Sequence, residues 1–151
     1  MRSFETLQEL AALVGQDLAV SDWITVTQEQ INQFAQATGD HQWIHVDIER
    51  AKAGPFGSPI AHGFLTLSLL PRFFESAFTI RQSAMGVNYG LNRVRFTGPV
   101  PAGSRLRAHL KLLALAPVDN GGVQMTWEVK IEREGVAKPV CIAESLSRRY
   151  P

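Results

Sequence analysis

Asp40 and His45 stand five residues apart in the stretch ATGDHQWIHVD, Ala37 to Asp47. An acid and an imidazole at that spacing suggest proton handling. A carboxylate and a neutral ring of reference pKa ~6.5 can hold one water between them and relay its protons at neutral pH. On a continuous helix, five residues turn through about 140°, so the two side chains would not share a face. Gly39, immediately before Asp40, reads as a helix stop, and a loop after it is free to curl and bring the pair together. A turn carboxylate beside a half-buried histidine that alternates with apolar Ile44 and Val46 is the plainer reading of the same residues. Local sequence leaves both readings open.

For the pair to function, a helix has to end at Gly39. Thr27 with Gln30 three residues on has the form of a capping box, and Ile31, Phe34, Ala35 and Thr38 give that helix one face. Upstream, Phe4, Leu7, Leu10, Ala11 and Val14 recur at helical spacing before Gly15, which predicts an N-terminal helix within residues 1–16, packed on the domain. SDWITVT then reads as extended. Downstream, Ile48 to Pro59 offers one short helical turn and then Gly54, Pro55, Gly57 and Pro59, so a long shaped loop is expected. From Gly63 to Phe78 the chain is apolar on nearly all sides and has to be a buried helix, too short and too interrupted by Pro71, Arg72 and Glu75 to span a bilayer. The remainder, MGVNYGLNRVRFTGPV, GSRLRAHLKLLALAPV, GGVQMTWEVKIERE and AKPVCIAESLSRRY, is extended, with a hairpin signal at Asn120-Gly121. The fold class is α+β: one domain over residues 1–151, with an antiparallel sheet wrapped around one long buried central helix. A single sheet leaves an exposed edge, so a homodimer is expected.

Composition narrows the partners. A net charge of +1 with acids and bases interspersed leaves no footprint for nucleic acid or for an anionic membrane surface. The single cysteine, Cys141, cannot form an intramolecular disulfide, and no Cys/His cluster has zinc spacing, which points to a reducing compartment and no structural metal. The first residues carry Glu5 and Glu9 inside their apolar pattern and read as neither signal peptide nor anchor, so a cytoplasmic protein is expected.

Three motifs in order and in register, FAQATGDHQWIH, AHGFLTLSLLP and RVRFTGPVPAGSRL, resemble the MaoC-like, (R)-specific enoyl-CoA hydratase family, which has the hotdog fold. The resemblance runs from about Trp23 to the C-terminus. It implies addition of water to a trans-2-enoyl-CoA to give the (R)-3-hydroxyacyl-CoA, with no metal or redox cofactor, coenzyme A being part of the substrate. It also implies a homodimer with its sites near the subunit interface. Residue by residue, the catalytic acid/base pair falls on Asp40 and His45, and the backbone amide that binds the thioester oxygen falls on Gly63. Gln42, His62 and Phe64 are expected to border the substrate; His62 also sets the helix start, and Phe64, Leu65 and Leu67 either line an acyl tunnel or pack as plain core. Where the family usually has Asn-Pro between the catalytic residues, this chain has Gln42-Trp43, as in the nodulation-protein-N-like branch. Where some members carry a serine in the central helix, register places Pro71, and no catalytic serine is carried over.

The chemistry fits these residue types. Hydration needs a water against Cβ, an acceptor for its proton, a proton for Cα and stabilisation of the enolate oxygen. Asp40 and His45 supply the first three, and the unpartnered N–H groups at the start of the buried helix supply the fourth, with Gly63 letting the oxygen approach. Two rivals remain: a hotdog acyl-CoA thioesterase, in which the same water attacks the carbonyl carbon, and a non-catalytic acyl-CoA or lipid-binding hotdog module.

Overall fold

The computed structural model describes all 151 residues, Met1–Pro151. In chain order the elements are β1 (Arg2–Phe4), a 3-10 helix (Gln8–Leu13), β2 (Asp17–Val20), β3 (Ile24–Thr25), α1 (Gln28–Thr38), α2 (Trp43–Val46), α3 (Ile48–Lys52), α4 (Gly63–Ser68), α5 (Leu70–Ala77), β4 (Phe78–Ile80), β5 (Met85–Phe96), β6 (Arg105–Pro117), β7 (Val123–Arg133) and β8 (Cys141–Tyr150). The main sheet runs β2-β6-β7-β8-β5, with β3 also on β6, and its pairings are antiparallel.

Alternation builds this sheet. Leu106, Ala108, Leu110 and Leu112 on β6 and Met125, Trp127, Val129 and Ile131 on β7 are buried at every second position, while the residues between them face outward. The β6–β7 hairpin closes where the sequence places it. Asn120 and Gly121 both have positive φ, at 60° and 71°, the combination a primed turn requires. On the outer face, Glu132 of β7 accepts from His109 and pairs with Arg107 of β6.

The helical half departs from expectation in two places. The N-terminal helix expected within residues 1–16 is the strand β1 followed by a 3-10 helix; Phe4 turns its ring into the core from a strand that pairs in parallel with β4. The stretch Ile48 to Pro59 holds the one short helical turn expected, α3, capped by Asp47, which accepts from the Arg50 N–H, and continues as loop. The central helix is not one long helix but two, broken at Leu69, which is at once the C-cap of α4 and the N-cap of α5; Pro71 sits in the first turn of α5. Proline lacks the N–H that a continuous ladder would need there. Leu65, Leu70, Phe73, Ala77 and Phe78 bury themselves against the sheet, whereas Phe64 is 68% exposed. The helices lie in the sheet's concavity, with Phe78 stacked on Trp127 and Phe74 edge-on to it.

On its other flank the sheet ends in β5, twelve residues long and exposed along nearly its whole length. Met85, Val87, Tyr89, Leu91 and Phe96 are all more than 40% exposed.

Candidate active site

Helix α1 delivers the first catalytic candidate. Its capping box is complete, Thr27 accepting from Gln30 N–H and the Gln30 side chain accepting from Thr27 N–H, and Gly39 closes it with φ 80° in the left-handed region. Asp40 follows at once and is exposed, with its Oδ1 accepting from the Gln42 N–H at 3.3 Å. The chain does not then curl as a free loop. It enters α2, a single turn that swings His45 inward to 6% exposure. WIHV is rich in β-branched and aromatic residues, so tertiary contacts hold this turn. The Gln28 side chain donates to His45 O at 2.8 Å, Ile60 N–H donates to Ile44 O, and Trp43 packs on Gly54 beneath the Arg50 guanidinium.

The tautomer of His45 follows from its partner. Nδ1 lies 2.7 Å from the carbonyl oxygen of Ile60, which can only accept, so Nδ1 carries the proton and Nε2 keeps its lone pair. Burial pushes the His45 imidazole below its ordinary pKa. The neighbouring His62 acts in the same direction, against the Ile60 hydrogen bond and the charge of Asp40. His45 is thus held neutral, with a basic nitrogen free.

His62 has a larger part in this arrangement than its position before the helix suggests. It is the N-cap of α4 but makes no side-chain cap; its ring stacks on His45 with centroids 3.8 Å apart and planes 24° from parallel, and its Nε2 donates to the backbone carbonyl of Asp40 at 3.0 Å. Nδ1 of His62 is buried without a partner. A carboxylate oxygen of Asp40 and a ring nitrogen from each of His45 and His62 lie within 4.8 Å of one another. The sequence-predicted pair is therefore brought together, with His62 as its third member. His45 Nδ1 and His62 Nε2 are each engaged with a backbone carbonyl, which leaves one nitrogen of each ring for a ligand.

Beside His62, the first N–H groups of α4, those of Gly63 and Phe64, donate to nothing in the chain. A helix of six residues has little dipole, so its value to an oxyanion lies in these two donors. Gly63 must be glycine for a reason other than φ. A Cβ there would stand 2.8 Å from the ring of Phe96. Gln42 is exposed at the N-cap of α2, and Phe64 projects outward with its ring edge-on to Phe96. Within one chain, neither of these two side chains meets the acid/imidazole pair.

Space for a ligand lies further along the helices. A cleft of about 360 Å³ separates Leu67 and Ser68 from Tyr89 to Leu91 of β5, and it leads at Leu70, Pro71, Asn88 and Ser145 into a larger cavity of about 610 Å³ beside α5. Phe96 touches Gly63 and Leu91 flanks Leu67, so β5 runs antiparallel to α4 and α5 and the space between them starts near the oxyanion end. Summed along α4 and α5, the helical rise from Gly63 to Phe74 is at most about 16 Å.

Comparisons with known proteins bear on the family and the fold. A family model described as MaoC like domain matches residues 9–133. The chain is 55% identical over 148 residues, 98% of both chains, to 3-hydroxyacyl-thioester dehydratase Z of Mycobacterium tuberculosis. It is 46% identical over 140 residues to nodulation protein N of Rhizobium leguminosarum bv. viciae, covering 91% of this chain and 87% of that one. Among solved structures, an (R)-hydratase from A. caviae involved in PHA biosynthesis superposes with a TM-score of 0.72 at 22% identity, over 91% of this chain and 96% of that one, and shares the fold.

Proposed function

The chain belongs to the MaoC-like family, and from that premise we propose that it is a hydro-lyase that adds water reversibly across the double bond of a trans-2-enoyl thioester, giving the (R)-3-hydroxyacyl thioester. The observation that carries this reading is the convergence of Asp40, His45 and His62 next to the free N–H of Gly63. A water held between the Asp40 carboxylate and His45 Nε2 attacks Cβ. His45 or Asp40 takes its proton, the pair returns a proton to Cα, and the Gly63 N–H receives the enolate charge that builds on the thioester oxygen. Dehydration is the same path reversed, as the name of the mycobacterial relative has it. No step calls for a metal or redox cofactor; coenzyme A, or another thioester carrier, arrives as part of the substrate.

The acyl chain lies in the space between the helices and β5. The free β5 edge pairs with β5 of a second copy, which covers Val87, Tyr89 and Leu91 and, beside them, the outward Phe64 and Phe96. That pairing supplies the burial that Phe64 lacks in one chain. No helix is long and apolar enough to cross a membrane, and the buried lone thiol of Cys141, its pKa pushed up to about 11 by burial, suits a reducing cytoplasmic setting.

Loss of the conjugated enoyl absorbance from crotonyl-CoA and longer enoyl-CoAs tests the proposal. Asp40→Asn and His45→Gln are each expected to lower the rate by about 10²–10⁴ while the melting transition stays cooperative. Release of free thiol with the double bond intact would establish thioester hydrolysis instead.

A further inference from the structure

The cavity beside α5 owes its existence to residue choice on two strands. On β8 the positions facing the helices are Ala143, Ser145, Ser147 and Arg149, and on β5 Gly86 and Asn88 border the same space. Where β6 and β7 offer Leu, Trp and Ile to the core, these two offer hydroxyls, an amide and no side chain. A well-packed domain does not keep about 610 Å³ open by accident. On the helix side Leu70, Phe74 and Phe78 give the cavity an apolar stripe, with Glu75 beside it, so the space suits a hydrocarbon chain lying along α5.

Its far end has different chemistry. The Arg149 guanidinium lies over Gly86, where a Cβ would stand 2.7 Å from Nη1, so glycine at 86 makes room for it. None of its N–H groups makes a hydrogen bond within the chain and no carboxylate pairs with it, although Arg81, Arg105 and Arg107 each have an acid partner. Glu75, the acid on the cavity wall, is exposed and forms no ion pair with it. Burial pushes the Arg149 guanidinium below its usual value. A half-buried cation without a counter-ion is an unusual expense in a fold, and the guanidinium fork matches a carboxylate in shape. Ser147 accepts from Trp127 Nε1, which leaves its own O–H free to donate toward the same end.

We infer that Arg149, with Ser145, Ser147 and Asn88, binds a carboxylate at the far end of the acyl chain, so that the favoured substrate is a medium-chain ω-carboxyacyl thioester and not its plain counterpart. The inference rests on the hydration reading for the reactive end of the substrate. The helical path of at most about 16 Å from Gly63 to Phe74 sets the separation between thioester and carboxylate.

The test compares kcat/KM for trans-2-dodecenoyl-CoA and for the same thioester carrying a terminal carboxyl, in the full chain and in Arg149→Met. The wild type is expected to favour the carboxylated substrate by roughly tenfold or more, the worth of a charge-assisted hydrogen bond. Arg149→Met is expected to lose that preference, its kcat/KM for the carboxylated substrate falling roughly tenfold to that of the plain one. Equal rates on both substrates in the wild type, or a preference that survives Arg149→Met, would overturn the inference. Calorimetric titration with free dodecanedioate reads the subsite without turnover. Binding that disappears in Arg149→Met supports it, and absent or unchanged binding rejects it. Failure of both thioesters to react, with dodecanedioate still bound through Arg149, would count against hydration alone.

Discussion

Gly63→Ala is the sharpest perturbation available, because the added methyl has a definite place to go. Its Cβ would stand 2.8 Å from Phe96 Cδ2 and 2.9 Å from two further ring atoms, about half an ångström inside ordinary contact, which begins at 3.4 Å. Either the ring yields or the first turn of α4 backs away. Phe96 is 44% exposed in one chain but covered in the proposed pair, so the stability loss is expected within the ~1–3 kcal/mol seen for overpacking. Catalysis is less forgiving. Useful oxyanion donors lie roughly 2.7–3.1 Å from the oxygen, a window of about 0.4 Å, so a shift of half an ångström takes the Gly63 N–H out of it. The expected loss is about 10²-fold in kcat, by enoyl absorbance, with melting only modestly lowered. Adding Phe96→Ala removes the ring atoms that cause the overlap and should restore most of the rate. The reasoning is refuted if Gly63→Ala works at the wild-type rate, or if the double variant is no faster than Gly63→Ala while Phe96→Ala alone remains active.

The remaining predictions concern protonation and assembly. Because burial holds His45 below the ordinary imidazole pKa, the acid limb of kcat/KM is expected below pH ~6.5; His62→Gln, which removes an opposing neighbour, should move it upward, and NMR titration should show the His45 pKa falling further in Asp40→Asn. The sign for stability follows from linkage. Between the unfolded and folded pKa values of His45 the unfolded chain binds more protons, so melting temperature should fall as pH drops from ~6.5 toward the lower folded value, and His45→Gln should flatten that slope. Sedimentation is expected to give the mass of two chains for the wild type, and of one chain when Val87 and Leu91 on the β5 edge are both changed to lysine.

The long strands were legible because β6 and β7 alternate strictly and Asn120-Gly121 can adopt the positive φ pair that joins them. The capping box and the Gly39 stop were legible for a similar reason, since both are local chemistry. What escaped the sequence is what depends on distant partners. The turn of α2 exists through Gln28 and Ile60, and WIHV by itself reads as alternating and extended. A run apolar all round, Gly63 to Phe78, does not disclose that Pro71 divides it or that Phe64 faces away from the core. His62 was expected near the substrate but not stacked on His45, because nothing local joins residues 17 apart. The serines of ESLSRRY carried a signal that went unread: small polar residues at the inward positions of a core strand mark a space kept open.

The parallel pair of β1 and β4 joins Arg2–Phe4 to Phe78–Ile80, and Met1 forms part of the wall of the large cavity. Three residues are held against a segment some seventy-six positions away, a long loop to close for a few hydrogen bonds. Such a seam is expected to form late in folding. Were it to open ahead of global unfolding, the distal end of the cavity would have a door hung on the N-terminus. Amide exchange across Arg2–Phe4 would clock its opening, and a tag fused ahead of Met1 would sit on its hinge.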